Sequence, residues 1–196
     1  MLNPEEIQRC LIVEGTCRGV VFKTDEDYIV REKGREGLRQ LESLLHSVDC
    51  PLMYSEIKTM DFYPLGWRVV SLLAIKEQFG FSDEKIKEMG MVAPKFSLIT
   101  KIFLKYFSSI SLTIKQVPSI WHRHYGVGEL VAVVANEETR LIVLRLTGLN
   151  IHPVFCVYLS GYFSTIAQMV TGSSVLCREI KCFFSGSEFH EYEITW

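Results

Sequence analysis

The stretch that decides the fold runs from His152 to Ile194. It opens with His152-Pro153 and an apolar segment, passes Thr171-Gly172, and continues as Val175-Leu176-Cys177-Arg178-Glu179-Ile180-Lys181-Cys182. It closes with Gly186-Ser187-Glu188-Phe189-His190-Glu191-Tyr192-Glu193-Ile194. Proline suits a first helical turn, because the N–H it lacks has no partner there. Phe155, Leu159, Tyr162, Phe163, Ile166 and Val170 then recur at helical spacing, and Gly172 stops the helix. Two strands follow, about 175–184 and 189–195, with Ser185-Gly186-Ser187 as the turn between them.

Working outward, residues 130–135 and 140–146 alternate as strands do. The polar Asn136-Glu137-Glu138-Thr139 joins them as a hairpin. The C-terminal half therefore reads strand–strand–helix–strand–strand. Ahead of it lie helices. Thr24 caps one that carries Asp25, Glu26 and Asp27 in its first turn and ends before Pro51. Phe62 to Phe79 forms the next, with Gly80 as its stop. Ser82 caps a short one interrupted at Gly90 and Pro94, and Phe96, Ile99, Phe103 and Tyr106 form the stripe of another. Ile110, Leu112 and Ile114 alternate as a strand would, but residues 110–124 favour helix overall, with a bend or a restart near Pro118. Val20-Val21-Phe22 is too short to assign. The class is α+β: a four-stranded antiparallel sheet packed with an N-terminal set of helices. Neither a linker nor a repeat divides residues 1–196, so a single domain is expected.

Hydrophobic residues make up 48% and charged residues 22% of the chain, which is enough apolar matter for a sizeable core. A net charge of −2 gives no overall basic field for nucleic acid or an anionic membrane. The opening Met1-Leu2-Asn3-Pro4-Glu5-Glu6 is not a signal peptide, and no run of 18 apolar residues predicts a membrane span. The six cysteines show no CxxC spacing, so free thiols in a cytoplasmic setting are expected.

Cys182 and His190 stand on neighbouring strands and are both good ligands for zinc or iron. Two ligands do not complete a site; Cys177, Cys156 or a carboxylate such as Glu179 must join them. Strand alternation puts Cys182 on a face with Arg178 and Ile180, and Cys177 and Glu179 on the other, unless a bulge intervenes. The plainer reading is buried thiols and a surface histidine. Trp121-His122-Arg123-His124-Tyr125 is a second cluster. On a helix its two histidines point about 200° apart and cannot share a metal. One of them could meet an anion or a haem. Alternatively, the cluster is a helix end whose cations suit the dipole. The aromatics Trp67, Phe96, Phe103, Trp121, Phe155 and Phe163 are candidates to wall an apolar pocket between helices and sheet, or are simply core. P-loop, GxGxxG, GxSxG and HExxH motifs are absent, so no enzyme class is advertised.

Thr171-Gly172, Glu179-Ile180-Lys181-Cys182, Gly186-Ser187 and Glu191-Tyr192-Glu193-Ile194 together resemble the ending of 4-vinyl reductase-type small-molecule-binding domains. Those belong to a wider fold shared with haem–nitric oxide sensors and Golgi-transport (TRAPP) subunits. The family's second cysteine falls at His190. Tyr63-Pro64, Pro118-Ser119-Ile120-Trp121 and the final tryptophan also resemble an uncharacterised bacterial group common in myxobacteria.

The resemblance implies a non-catalytic sensory domain of the NO-signalling/Golgi-transport ligand-binding type, holding a small, largely apolar molecule. Alternatives are an interaction module that homodimerises without ligand, and a metal-binding protein using Cys182 and His190. Haem sensors of this fold use a histidine ligand and a Tyr-x-Ser-x-Arg clamp. Here Tyr162-Phe163-Ser164 is followed by Ile166 where arginine is needed, so the resemblance argues against haem. No cofactor is expected on this reading, with zinc or iron at the Cys182/His190 pair as the exception.

Overall fold

The computed structural model describes residues 2–96 and 109–196. In chain order the elements are α1 (Pro4–Leu11), β1 (Thr16–Arg18), α2 (Val20–Ser47), β2 (Phe62–Pro64), α3 (Leu65–Phe79), α4 (Asp83–Phe96), α5 (Ile110–His124), β3 (Glu129–Asn136) and β4 (Leu141–Thr147). They continue with α6 (Pro153–Thr171), β5 (Leu176–Lys181) and β6 (His190–Thr195); short 3-10 turns lie at Tyr54–Glu56 and Phe183–Ser185.

β3, β4, β6 and β5 form, in that order, a four-stranded antiparallel sheet. The C-terminal order is the expected one. Returning through α6 places β6, not β5, beside β4, with Leu144 opposite Tyr192 and Leu146 opposite His190. The β5–β6 ladder pairs Glu179 with Tyr192 and then Lys181 with Glu191, so the register shifts at Ile180. That bulge matters for the site below.

α6 is the central helix of the C-terminal half. His152 caps it, accepting from the Val154 N–H at 3.1 Å, and Gly172 ends it in the left-handed region at φ 68°. Among the described residues it is the one helix long and apolar enough to cross a membrane, and 61% of its 18-residue window is buried inside this fold, as in a core helix. α4 and α6 approach very closely. A Cβ at Gly90 would run into the Tyr158 carbonyl oxygen, and one at Gly161 into that of Lys87. Gly90 therefore does not interrupt α4; it lets the two backbones touch. Pro94 also lies inside the continuous helix.

Other N-terminal expectations change. α2 begins at Val20, not at Thr24, because Val20, Val21 and Phe22 are all buried and extend it backwards. Thr24 is not a cap: its hydroxyl donates to the Val21 carbonyl at 2.9 Å. Gly34, at φ 70°, kinks the helix. Phe62 to Pro64 is a strand pairing with β1, and α3 starts only after Pro64. The stripe expected around Ile99, Phe103 and Tyr106 lies outside the described residues.

Candidate functional site

Two regions of chemical interest flank α6. The first is a cavity holding about 100 Å³ between α2, α5, α6 and the sheet. α5 presents Thr113, Val117, Ile120, Trp121 and His124 to it, one face at helical spacing. α6 presents Tyr158, Leu159, Tyr162, Phe163 and Ile166; Leu130 and Leu144 close it from the sheet. Ser109 starts α5 by accepting from the Leu112 N–H at 3.2 Å, which sets the helix phase. Trp121 is held by an indole N–H donated to the Val127 carbonyl at 2.9 Å and by stacking on Tyr125 at 4.4 Å.

His124 is the one imidazole on this wall. It is buried, and its Nδ1 donates to the Ile120 carbonyl at 3.0 Å. Burial, with Arg18 and Arg123 acting in the same sense, lowers its pKa against the opposing Ile120 hydrogen bond. The ring is thus neutral near pH 7, with Nδ1 protonated and Nε2 carrying the free lone pair. His122, by contrast, is surface-exposed and pairs with Glu129 at 3.1 Å.

Of the aromatics named from sequence, Trp121 and Phe163 line the cavity. Phe155 lies behind it, stacked on Tyr158 at 6.4 Å and edge-on to Tyr125 at 5.6 Å. Trp67 packs on Tyr63 at 6.1 Å, away from the wall. Phe96 closes α4, and Phe103 lies outside the described residues.

The second region is a cluster of Cys156, Glu179, Cys182 and His190, whose ligand atoms all lie within 4.8 Å of one another. Cys156 comes from the first turn of α6, Glu179 and Cys182 from β5 and its end, and His190 from the start of β6. His190 Nδ1 meets both the Glu179 carboxylate at 2.8 Å and Cys156 Sγ at 3.6 Å. Burial, reinforced by Glu179, raises the Cys156 thiol pKa far above its ordinary value. Simple alternation would put Glu179 and Cys182 on opposite faces; the bulge at Ile180 brings them together. Cys177 stays out of the cluster, and burial pushes its thiol up to about 12. It is an inert packing residue.

Two sulfurs, an imidazole nitrogen and a carboxylate oxygen form a donor set suited to zinc. Tetrahedral zinc at its usual bond lengths needs donor separations of about 3.3–3.8 Å, within small side-chain shifts of those present. Four protein ligands would leave no open position, the pattern of a structural rather than a catalytic metal.

No protein-family model matches the chain, and no curated protein matches it. Solved structures do. An H-NOX (haem–nitric oxide-binding) protein from Shewanella oneidensis, described in the Fe(II)NO ligation state, superposes with a TM-score of 0.69 at 12% identity. That match covers 90% of this chain and 97% of that one. The Fe(II) unliganded H-NOX protein from K. algicida gives 0.67 at 12% identity, over 91% and 95%. A structure from work on haem distortion in the H-NOX family gives 0.64 at 13%, over 91% and 94%. At these identities the likeness establishes an H-NOX-like fold. It also overturns the expectation of no cofactor and the argument against haem. The solved proteins sharing this fold are described by their iron and haem.

Proposed function

We propose that this chain is a non-catalytic sensory domain that takes a small molecule in the cavity between α2, α5, α6 and the sheet. The observation that carries this reading is an apolar cavity with a buried imidazole on its wall, whose Nδ1–H is held by the Ile120 carbonyl. Haem is the first ligand to test, because the neighbours sharing the fold are described by it. His124 would be the residue to hold its iron: a backbone carbonyl fixes the Nδ1–H, which leaves Nε2 as the donor atom. Bound haem would supply an iron able to hold a diatomic gas. A space of about 100 Å³ is well below the roughly 300–1,000 Å³ of ligand pockets, so loading requires α5 to part from α6. The apolar contact between them is what would yield. Haemin titration of the wild type and of His124→Leu tests this. A sharp Soret band saturating at one equivalent, and lost in the variant, is expected. An identical response from both proteins removes His124 from the role.

A second reading concerns the first turn of α6. We infer that Cys156, Glu179, Cys182 and His190 hold a zinc ion that ties α6 to the β5–β6 hairpin. The family-type ending at Glu179-Ile180-Lys181-Cys182 supports it, as does a His190 Nδ1 that faces two partners with one proton at most. Zinc content by elemental analysis should be one per chain, falling to none in Cys156→Ala. Unchanged content in the variant rules the site out.

A further inference from the structure

A buried hydroxyl beside the four-residue cluster is left unused by either reading. Tyr192 on β6 is fully buried, and its Oη makes no hydrogen bond among the described residues. Strand alternation puts it on the same face as His190, two positions earlier. The ladder sets it opposite Glu179 on β5. Its ring rests edge-on against Phe163 of α6 at 5.0 Å. Phe163 stands two turns beyond Cys156 on the same side of that helix. The three elements that supply the cluster thus all meet at this one side chain.

The sulfur of Cys156 is the group placed to take the Tyr192 hydrogen. Burial is the main influence on both side chains. Beyond it, the phenol favours the thiolate of Cys156, and Cys156 favours the protonated phenol. Both effects have the sign of an O–H pointed at sulfur. The contact falls short of hydrogen-bond geometry, and a neutral thiol is a weak acceptor in any case. A donor so poorly matched in a dry interior destabilises the fold. A thiolate is a charged acceptor, and hydrogen bonds to charged groups are roughly twice as strong. Metal binding is what would make Cys156 a thiolate, because sulfur ligates zinc only after losing its proton.

We propose that Tyr192 is a positioning residue for the zinc held by Cys156, Glu179, Cys182 and His190, its O–H donating to the metal-bound sulfur of Cys156. This rests on the zinc reading above. The hydrogen bond orients the sulfur and stabilises its charge, so the metal is held more tightly. The same bond draws electron density back from the metal–sulfur bond. Without metal the protein carries an idle buried hydroxyl; with metal that hydroxyl gains its acceptor.

Tyr192→Phe tests this, because it removes the oxygen and keeps the ring against Phe163. Zinc affinity, measured by competition with a chromophoric chelator, should fall about tenfold. The Tm of the metal-free protein should hold or rise, since an unmatched donor has gone. In the cobalt(II)-loaded protein the sulfur-to-cobalt charge-transfer band should move to lower energy, because a sulfur without the hydrogen bond is the better electron donor. A role in packing alone would lower the metal-free Tm and leave that band in place, and this result overturns the proposal. Unchanged zinc affinity with an unmoved cobalt band also overturns it, while the zinc reading stands. If the wild type binds neither zinc nor cobalt, the proposal and the zinc reading fall together.

Discussion

The cavity and the four-residue cluster share one helix, yet they are built by opposite means. The cavity is made of side chains in plain helical phase: α5 and α6 each turn one apolar stripe toward it, and no backbone irregularity is needed. The cluster depends on irregularity. Its ligands come from a helix start, a bulged strand end and a strand start, and without the bulge Glu179 and Cys182 would face apart. Periodic segments make good walls because their pattern tolerates exchange of one apolar residue for another. Convergent polar groups need positions that periodicity does not supply.

The largest effect should come from the contact that holds α6 for both regions. Gly161→Val forces a branched side chain into the Lys87 carbonyl. A destabilisation of about 3 kcal/mol is expected, seen as a fall of roughly 6–12 °C in Tm. A neutral result would mean α4 and α6 can separate freely, and with them the two regions.

Next in size is the metal linkage. With zinc at a hundredfold excess over its Kd, the wild type should gain about 2.7 kcal/mol in stability. Cys156→Ala or His190→Ala should show no zinc-dependent shift in Tm. If chelation leaves the wild-type Tm unchanged, the contrast collapses, and the cluster is merely packed.

His124→Leu sharpens the comparison from the cavity side. It removes a buried imidazole in favour of an apolar group on an apolar wall. The cost should stay within about 1.5 kcal/mol, while haem affinity falls at least tenfold. Zinc stoichiometry should not move, which differential scanning and elemental analysis check together.

The smallest expected effect lies outside both regions. The Lys85 ammonium foremost, helped by Tyr28, holds the Glu88 carboxyl below its ordinary value of 4.5 despite slight burial. A carboxyl depressed in the folded state adds stability above the unfolded pKa and loses it as pH falls through the folded one. Acid titration of stability below about pH 4.5 should be marginally shallower in Glu88→Gln, by well under 1 kcal/mol for so exposed a pair. A larger change would show that α2–α4 electrostatics help to hold the cavity wall.

Much of the fold was legible because its elements announce themselves locally. Pro153 and Gly172 bracket α6, and the Asn136–Thr139 turn fixes the β3–β4 hairpin. Where local signals misled, tertiary burial outweighed them: Thr24 looked like a cap, but the buried Val20, Val21 and Phe22 carry α2 further back. Gly90 looked like a breaker and is instead a point of close approach. The site was legible only in pieces. Cys182 and His190 stood out as ligand types, with Cys156 and Glu179 as open candidates beside Cys177. Nothing in the alternation pattern could choose among them.

The sequence by itself determined the α+β class, the strand–strand–helix–strand–strand order and the apolar faces that must be buried. Each of these follows from side-chain periodicity and chain-local capping, which act over a few residues. Tertiary structure alone decided that β6 lies between β4 and β5, that a one-residue bulge turns Glu179 toward Cys182, and that Cys177 is excluded. It alone placed Arg68 and Asp25, 43 positions apart by their numbers, in one buried pair. Such meetings depend on which distant surfaces pack, and packing is settled by the shape and satisfaction of the whole interior, not by any one segment.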